Sequence, residues 1–250
     1  MRTSQIMLAE TRTTEPEEEF EVFPFTTACQ VIWEEGDHVL IGVSPGNSYF
    51  SAPRICALAQ WAARRFEKVD FVHADLHVDA LFAAFGYTPE HAARRAIKEI
   101  KAVRRRILRG VEVSGAADRI RVSALSEFTG HPEYRLLRRR VDFLLDHDAE
   151  LRQGCDAMIQ QFLAPRLVDS GQPATAEQLR ACRDYIAAEL PFFIDTPSIL
   201  RVPSSVCCYH VVLPLTEVLY GRGGGLRATR NQAYAVVRPE RTVRDDRRAA

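Results

Sequence analysis

Residues 40–51 read Leu-Ile-Gly-Val-Ser-Pro-Gly-Asn-Ser-Tyr-Phe-Ser. The short run over residues 39–43 is rich in apolar and β-branched side chains, which is typical of a strand buried on both faces. Pro45 and the glycine and asparagine after it predict a turn. A helix capped by its first serine is predicted over residues 48–66. The pattern therefore places Ser44 at the carboxyl end of a buried strand, where open α/β sheets bind their ligands.

The five residues from Gly42 to Gly46 also fit the G-x-S-x-G nucleophile elbow of α/β-hydrolases. In that motif the residue after the serine donates its backbone N–H to the oxyanion. Here that residue is Pro45, which has no N–H, so a hydrolase oxyanion hole on this turn would lack one of its donors. A serine hydrolase or esterase remains an alternative, as does the simpler interpretation that Ser44 only ends a strand and caps a turn.

The whole string from Gly42 to Ser51 closely resembles the signature around the nucleophilic serine of the cyclodipeptide synthases. These enzymes take two aminoacyl-tRNAs and make a cyclic dipeptide, a 2,5-diketopiperazine. A second block at residues 185–191, Tyr-Ile-Ala-Ala-Glu-Leu-Pro, and a third at residues 209–210, Tyr-His, resemble the same family. Together with Asn47, the third block resembles the Asn/Tyr/His subgroup. The three blocks occur in the family's order, and the resemblance covers roughly residues 30–220.

The resemblance implies an α/β fold with a Rossmann-like, mostly parallel sheet flanked by helices. Such a fold is similar to the catalytic domains of class I tyrosyl- and tryptophanyl-tRNA synthetases. It implies an aminoacyltransferase that uses two aminoacyl-tRNAs and needs no ATP, because the ester of an aminoacyl-tRNA is already activated. The sequence shows no dinucleotide-binding glycine motif, Walker loop or zinc-ligand spacing, so no cofactor and no metal are expected.

The resemblance also implies a role for each residue of the three blocks. Ser44 is the expected nucleophile, which becomes an aminoacyl-enzyme in a ping-pong sequence. Glu189 and Tyr185 are expected to hold the α-ammonium group, with Tyr185 handling the proton when the ring closes and Asn47 helping to orient the amine. Tyr209 is expected to hydrogen-bond the reacting carbonyl region or the serine. His210 is placed beside the substrate in a structural role.

A pocket for the first amino acid side chain follows from the same alignment of blocks. Phe192 would take up volume in this pocket, which favours a small or medium first residue. Arg166 could lie near the second pocket and favour a polar or acidic partner. The pocket is expected to be lined by Leu40, Gly42, Val72, Ala74, Phe192 and Cys207.

A strongly basic helix is predicted to begin at Thr88-Pro89. Residues 91–110 contain eight arginines or lysines and one acid, Glu99. A solvated helix face is the alternative, but the stripe repels itself and a phosphate backbone would relieve that repulsion. The resemblance implies that this helix holds the tRNA of the first substrate. A catalytically silent tRNA-binding protein would keep the same basic helix, so it is a further alternative. The expected tRNA contacts are Arg94, Lys98, Lys101, Arg105, Arg106 and Arg109.

Composition bounds the remaining choices. The 250 residues carry no net charge, so RNA contact must come from local clustering rather than from global steering. The six cysteines form no C-x-x-C pair and indicate reduced residues. No signal peptide or membrane-spanning run is present, so a cytoplasmic location is expected. A monomer is expected as well. The predicted organisation is a poorly ordered leader over residues 1–24, one catalytic domain over 25–221 and a flexible basic tail over 222–250.

Three local expectations complete the analysis. The apolar run from Cys29 to Trp33 predicts a first strand. Pro191 is predicted to end the helix that carries the second block. A strand that includes both residues of the third block is predicted from Ser205 to Leu213.

Overall fold

A computed structural model describes residues 20–167 and 172–240 of the chain. It contains a sheet with helices on both faces. The strands are β1 Phe20–Pro24, β2 His38–Val43, β3 Lys68–His73, β4 Ile120–Ala124, β5 Ser205–Tyr209 and β6 Gln232–Pro239. The helices are α1 Thr27–Glu35, α2 Ala52–Arg65, α3 Val78–Ala84, α4 Pro89–Val113, α5 Pro132–His147, α6 Ala149–Leu167, α7 Ala176–Leu200 and the short α8 Pro214–Thr216. Single 3-10 turns cover Ala117–Arg119 and Leu125–Phe128, and a π turn covers Glu217–Gly221.

The sheet has the strand order β1-β6-β5-β2-β3-β4. Strands β2 to β6 pair in parallel, and only the edge strand β1 runs antiparallel, against β6. The order reverses at β2, which pairs with β3 on one side and with β5 on the other. The predicted mostly parallel sheet flanked by helices is confirmed, and β2 is its topological switch point.

Alternation along β2 separates the two faces of the sheet. Val39, Ile41 and Val43 enter a core that also contains α2 and α4 side chains. Leu40 packs on the other face, in a core that includes Phe192 from α7. Since successive side chains of a strand point to opposite faces, Ser44 continues the face of Leu40 rather than that of Val43. The sheet therefore directs Ser44 toward α7.

Residues 27–35, which include the predicted first strand from Cys29 to Trp33, form helix α1, so that prediction is wrong. Thr26 caps the helix by accepting a hydrogen bond from the backbone N–H of Cys29 at 3.2 Å. Gly36 ends it with φ of 75°, a left-handed conformation that suits glycine. These two caps, together with the buried side chains of Cys29 and Ile32 one turn apart, outweigh the strand propensity of the segment.

The predicted leader and tail both contain strands, which corrects their boundaries. Phe20–Pro24, inside the predicted leader, forms β1. Gln232–Pro239, inside the predicted flexible tail, forms β6, and its residues 232–237 are buried. This apolar run lies between β1 and β5, so burial decides its structure despite the many arginines around it. Residues 1–19 and 241–250, the rest of the predicted leader and tail, lie outside the described residues.

Three boundaries differ from the predictions. Helix α2 begins at Ala52 with Ser51 as its cap, because residues 44–51 form successive tight turns. Helix α7 passes through Pro191, since both of its halves are buried, and it kinks instead at Asp195. The predicted strand of the third block ends at Tyr209, so His210 lies just beyond β5. In the part of the chain that the structure describes, no helix has the length and apolar character needed to cross a membrane.

Candidate active site

The carboxyl ends of β2, β3 and β5 form the floor of a cavity of about 670 Å³, with α7 facing them. Strand register explains the grouping. Leu40 pairs with Cys207, and Gly42 pairs with Val72. The cavity contains every residue that the sequence analysis assigned to chemistry or to the first pocket. These are Leu40, Gly42, Ser44, Asn47, Val72, Ala74, Tyr185, Glu189, Phe192, Cys207, Tyr209 and His210.

Ser44 lies between two tyrosines that come from different elements. The hydroxyl groups of Tyr185 on α7 and of Tyr209 at the end of β5 each interact with the Ser44 hydroxyl. Burial raises the pKa of both phenols above the ordinary value of 10, so both stay protonated. Neutral phenols can donate to or accept from a serine oxygen, which suits them to hold it and to pass its proton.

Asn47 connects the turn after Ser44 to Tyr209. Its amide nitrogen donates to the Tyr209 hydroxyl at 3.0 Å, and its amide oxygen accepts from the backbone N–H of Tyr49 at 3.0 Å. Gly46, just before it, has φ of 72°, which a side chain would strain. The turn therefore fixes Ser44 relative to β5 through one amide side chain.

Glu189 lies one turn after Tyr185 on α7 and lines the same cavity. Burial raises the pKa of its carboxyl from 4.5 to about 7, and the hydrogen bond from Tyr185 opposes that shift. No described residue forms an ion pair with Glu189. Burial of this carboxyl disfavours its ionised form, and a nearby positive charge would favour it. The cavity therefore suits a positively charged ligand.

His210 packs as an aromatic spacer. Its ring stacks on Tyr49 at 4.1 Å with an interplanar angle of 12°, and it also contacts the rings of Phe50 and Tyr209. Burial and the nearby Arg238 lower its pKa to about 4, so the imidazole is neutral. The ring braces the turn after Ser44 against β5.

The geometry around Ser44 gives little support to a hydrolase triad. A chain of serine, histidine and aspartate does exist, in which His38 contacts Ser205 at 2.7 Å and Asp70 at 3.1 Å. However, His38 and Ser205 are 0% exposed and do not line the cavity. Ser44 itself contacts phenols, and Pro45 follows it without an N–H donor.

The pocket beside Ser44 is apolar, and part of its volume is open because residue 42 is a glycine. A Cβ atom at Gly42 would meet no other atom within 4 Å, so the glycine leaves room in the cavity. Phe192 is buried against the rings of Phe128 and Tyr134, which holds it at the pocket wall. Arg166 lines the same cavity from α6, with its guanidinium carbon 3.8 Å from the centroid of the Phe162 ring.

Helix α4 presents its predicted basic stripe to solvent. Its core face packs on α2, where Gly110 allows a close approach to Ile55. Arg106 differs from the other predicted tRNA contacts, because it is partly buried and donates to the backbone carbonyl of Phe50 at 3.1 Å. The exposed members of the stripe are Arg94, Lys98, Lys101, Arg105 and Arg109.

Apart from Arg166, the sequence analysis missed the cavity walls that come from α3 and from α6. Apolar residues at helical spacing indicate a buried face but not whether that face meets a core or a cavity. No local signal distinguishes the two cases. The missed residues include Val78, Leu81, Phe82, Phe85, Met158, Gln161 and Phe162.

Comparison with protein families matches residues 20–239 to the family described as cyclodipeptide synthase. A cyclo(L-tyrosyl-L-tyrosyl) synthase of Mycobacterium tuberculosis is 48% identical over 225 residues, which are 90% of this chain and 78% of that protein. A cyclo(L-leucyl-L-phenylalanyl) synthase of Streptomyces noursei is 43% identical over 212 residues, which are 84% of this chain and 88% of that protein.

Solved structures share the fold. A Mycobacterium tuberculosis protein, whose structure relates cyclodipeptide synthetases to type I tRNA synthetases, has a TM-score of 0.81 at 46% identity. The match covers 90% of this chain and 96% of that chain. A cyclodipeptide synthase from Candidatus Glomeribacter gigasporarum, bound to Phe-tRNAPhe, has a TM-score of 0.50 at 12% identity and covers 82% and 90% of the two chains. The predicted likeness to class I synthetase domains is confirmed by the first of these relationships.

Proposed function

The chain belongs to the cyclodipeptide synthase family, whose members form cyclic dipeptides, and we propose that it does so from two aminoacyl-tRNAs through an aminoacyl-enzyme on Ser44. The observation that carries this proposal is one cavity that brings together Ser44, two neutral tyrosines and the Glu189 carboxyl, with which no described residue forms an ion pair. The cavity is complete within one chain, which supports a monomeric enzyme. Its substrates would place the reaction in the cytoplasm, where charged tRNA is made.

In the first step, the Ser44 oxygen attacks the carbonyl carbon of the ester that joins the first amino acid to its tRNA. A C–O bond to serine forms and the C–O bond to the terminal ribose breaks. The serine proton passes through the neighbouring phenol of Tyr185 or Tyr209 to the departing ribose oxygen. One ester replaces another, so the step needs no ATP.

Glu189 and Tyr185 hold the α-ammonium of the bound amino acid. The ammonium supplies the cation that Glu189 lacks, so binding favours the ionised carboxylate and lowers its raised pKa. Asn47 keeps Tyr209 beside the serine ester, because its amide donates to that hydroxyl. The result is an amine held close to the site where the second ester arrives.

The second amino acid arrives on its own tRNA. The α-ammonium of the Ser44-bound residue first gives a proton to the Glu189 carboxylate, and the resulting amine attacks the carbonyl carbon of the second ester. The peptide C–N bond forms, the C–O bond to the second ribose breaks, and the proton lost by the attacking nitrogen passes to the ribose oxygen, which releases the second tRNA. The free amine of the new dipeptide then attacks the Ser44 ester. The C–N bond closes the ring, the bond to serine breaks, and Tyr185 takes the proton lost by the amine and passes its own to the Ser44 oxygen.

The exposed stripe on α4 provides the tRNA face. Replacing Lys98, Lys101 and Arg105 with alanine should weaken tRNA binding and lower the slope of log affinity against log salt by about 2 to 3, since three phosphate contacts are lost. Binding titrations at several salt concentrations measure this slope. A control triple variant replaces three exposed arginines of α5, a helix that packs on α6 and α7 rather than on α2: Arg135, Arg139 and Arg140.

The control variant should keep the wild-type slope. An unchanged slope in the α4 variant would show that the tRNA binds elsewhere. Arg106 is left out of the triple variant because its bond to Phe50 would mix a structural effect with the electrostatic one.

Expression in a bacterium, followed by mass spectrometry of the medium, separates the three candidate functions. A synthase releases a cyclic dipeptide that disappears with Ser44→Ala. A serine hydrolase would react with a fluorophosphonate and release no such product. A catalytically silent tRNA-binding protein would bind tRNA equally with and without the Ser44 hydroxyl.

The first pocket supports an apolar amino acid of small or medium size. Its walls are apolar, Gly42 leaves space, and Phe192 occupies part of the volume. The two relatives described above carry different substrates in their names, so the pair joined by this chain must come from its own product spectrum. Arg166 supports a polar or acidic second amino acid, because this charged residue lines the cavity.

A further inference from the structure

One flank of α4 borders the cavity, with Arg95 at its exposed rim. Arg95, Glu99 and Arg106 are spaced four and seven residues apart, so they lie along one side of the helix. Arg95 and Glu99 line the cavity, and Arg106 bonds to the turn that follows Ser44. This flank lies beside the exposed basic stripe and joins it to the reaction site.

Arg95 forms a cluster with two aromatic rings at the corner between α3 and α4. Its guanidinium carbon lies 5.5 Å from the centroid of the Phe82 ring and 5.8 Å from that of Tyr87. The two rings are 5.6 Å apart at an angle of 73°. Phe82 and Arg95 line the cavity, while Tyr87 packs behind them against His91.

The charge of Arg95 is not neutralised. Within residues 20–167 and 172–240 it forms no ion pair with a carboxylate. Its partners are ring faces, which leave the guanidinium N–H groups available to an acceptor. The corner therefore combines an aromatic surface with a cation at the wall of the cavity that contains Ser44.

We propose that this corner binds the 3′-terminal nucleotide of the charged tRNA, an inference that rests on the proposed function. The ester lies on the terminal ribose, so that nucleotide must sit at the cavity when Ser44 attacks. The Phe82 ring stacks on the base, and the Arg95 guanidinium binds a phosphate or stacks beside the ring. Glu99 accepts a hydrogen bond from the free ribose hydroxyl.

The test compares two forms of one purified bacterial tRNA, intact and lacking only the terminal adenosine. Uncharged tRNA is used, so the readout is a dissociation constant rather than activity. Loss of the adenosine should weaken binding to the wild-type protein about tenfold, as expected for one stacked base. Phe82→Leu, which keeps an apolar side chain, and Arg95→Ala should bind the two forms with nearly equal affinity.

Lys101→Ala is the matched control on the same helix. It should weaken binding to both forms by the same factor and preserve the tenfold ratio, because a backbone phosphate contact does not depend on the terminal base. If the ratio persists in Phe82→Leu and Arg95→Ala, the inference is overturned. The same holds if Phe82→Leu keeps the ratio but changes which amino acid enters the product, since the corner would then be a side-chain pocket.

Failure of this inference is distinguishable from failure of the proposed function. A wild-type protein that binds no tRNA and gains no amino acid on Ser44 contradicts the proposed function itself. A protein that does both, but shows no coupling between the terminal adenosine and Phe82 or Arg95, contradicts only the nucleotide site.

Discussion

Replacing Ser44 with alanine is expected to lower cyclic dipeptide formation by at least about a thousandfold, because the bond that carries the first amino acid can no longer form. The hydroxyl lies at the end of β2 and is partly exposed in the cavity, so its loss removes no core packing. Product formation is measured by mass spectrometry with purified enzyme and two charged tRNAs. Thermal unfolding of the variant should match that of the wild type.

Ser48→Ala is the matched control for this prediction. Ser48 lies four residues further along the chain, is exposed and also borders the cavity, so it controls for the loss of a neighbouring hydroxyl. The control should retain wild-type product formation. If Ser44→Ala retains activity within a few-fold of the wild type, no covalent intermediate on this residue is required.

Replacing Glu189 with glutamine is expected to lower the rate of Ser44 acylation by about a hundredfold, the effect of losing a charged hydrogen bond to the ammonium. The free wild-type enzyme holds this carboxyl at a pKa of about 7, so the fraction able to bind an ammonium rises with pH through that value. The wild-type kcat/KM should therefore fall about tenfold per pH unit below 7. The glutamine variant should lack that part of the profile.

Stability provides the control for folding. The folded-state pKa of Glu189 lies above its ordinary value of 4.5, so the folded wild type bears a burial penalty that grows as pH rises from 4.5 through 7. That penalty is roughly 3 kcal/mol above pH 7. Glu189→Gln should thus be more stable than the wild type at pH 8 and similar at pH 4.5. Glu177→Gln, on the exposed first turn of α7, should change neither property.

A less active but more stable Glu189→Gln variant would indicate that the carboxyl is kept for binding at a cost in stability. An active variant, or one whose pH profile matches the wild type, would contradict an ammonium-binding role.

The main site could be predicted because its information is local. A few residues are enough to predict the strand before Ser44 and the turn after it. The same holds for the one-turn spacing of Tyr185 and Glu189. Parallel strands bring their carboxyl ends to one edge, so Tyr209 at the end of β5 joins the same cavity. Short-range patterns and one topological rule predict where these residues lie, whereas the roles expected of them come from the resemblance of the three blocks to a known family.

Elements decided by distant packing could not be predicted in the same way. Strand β6 lies between β1 and β5, and its burial depends on partners far away in the sequence. The arginines around it dominate the composition of that segment and indicate a tail. Pro191 predicts a helix end, yet tertiary packing carries α7 through it to a kink at Asp195.

The roles of residues on one helix were also only partly predictable. Arg105 and Arg106 are neighbours and have the same charge, but only Arg106 bonds to Phe50. In the sequence, Arg95 is one of several basic residues of α4. Its contact with Phe82 depends on the position of α3, which the sequence does not give. Side chains that act between elements require the elements to be placed first.

Attachment of an amino acid to Ser44 can be observed by mass spectrometry of the protein after incubation with a single kind of charged tRNA. When the charged tRNA is supplied at less than one equivalent of the protein, few acylated molecules meet a second substrate, so the aminoacyl-enzyme should accumulate and peptide mapping should locate one ester-linked amino acid at Ser44. Mild alkali should release it, and the Ser44→Ala protein should carry none. A wild-type protein that carries no amino acid, or carries it at a residue other than Ser44, would contradict the account.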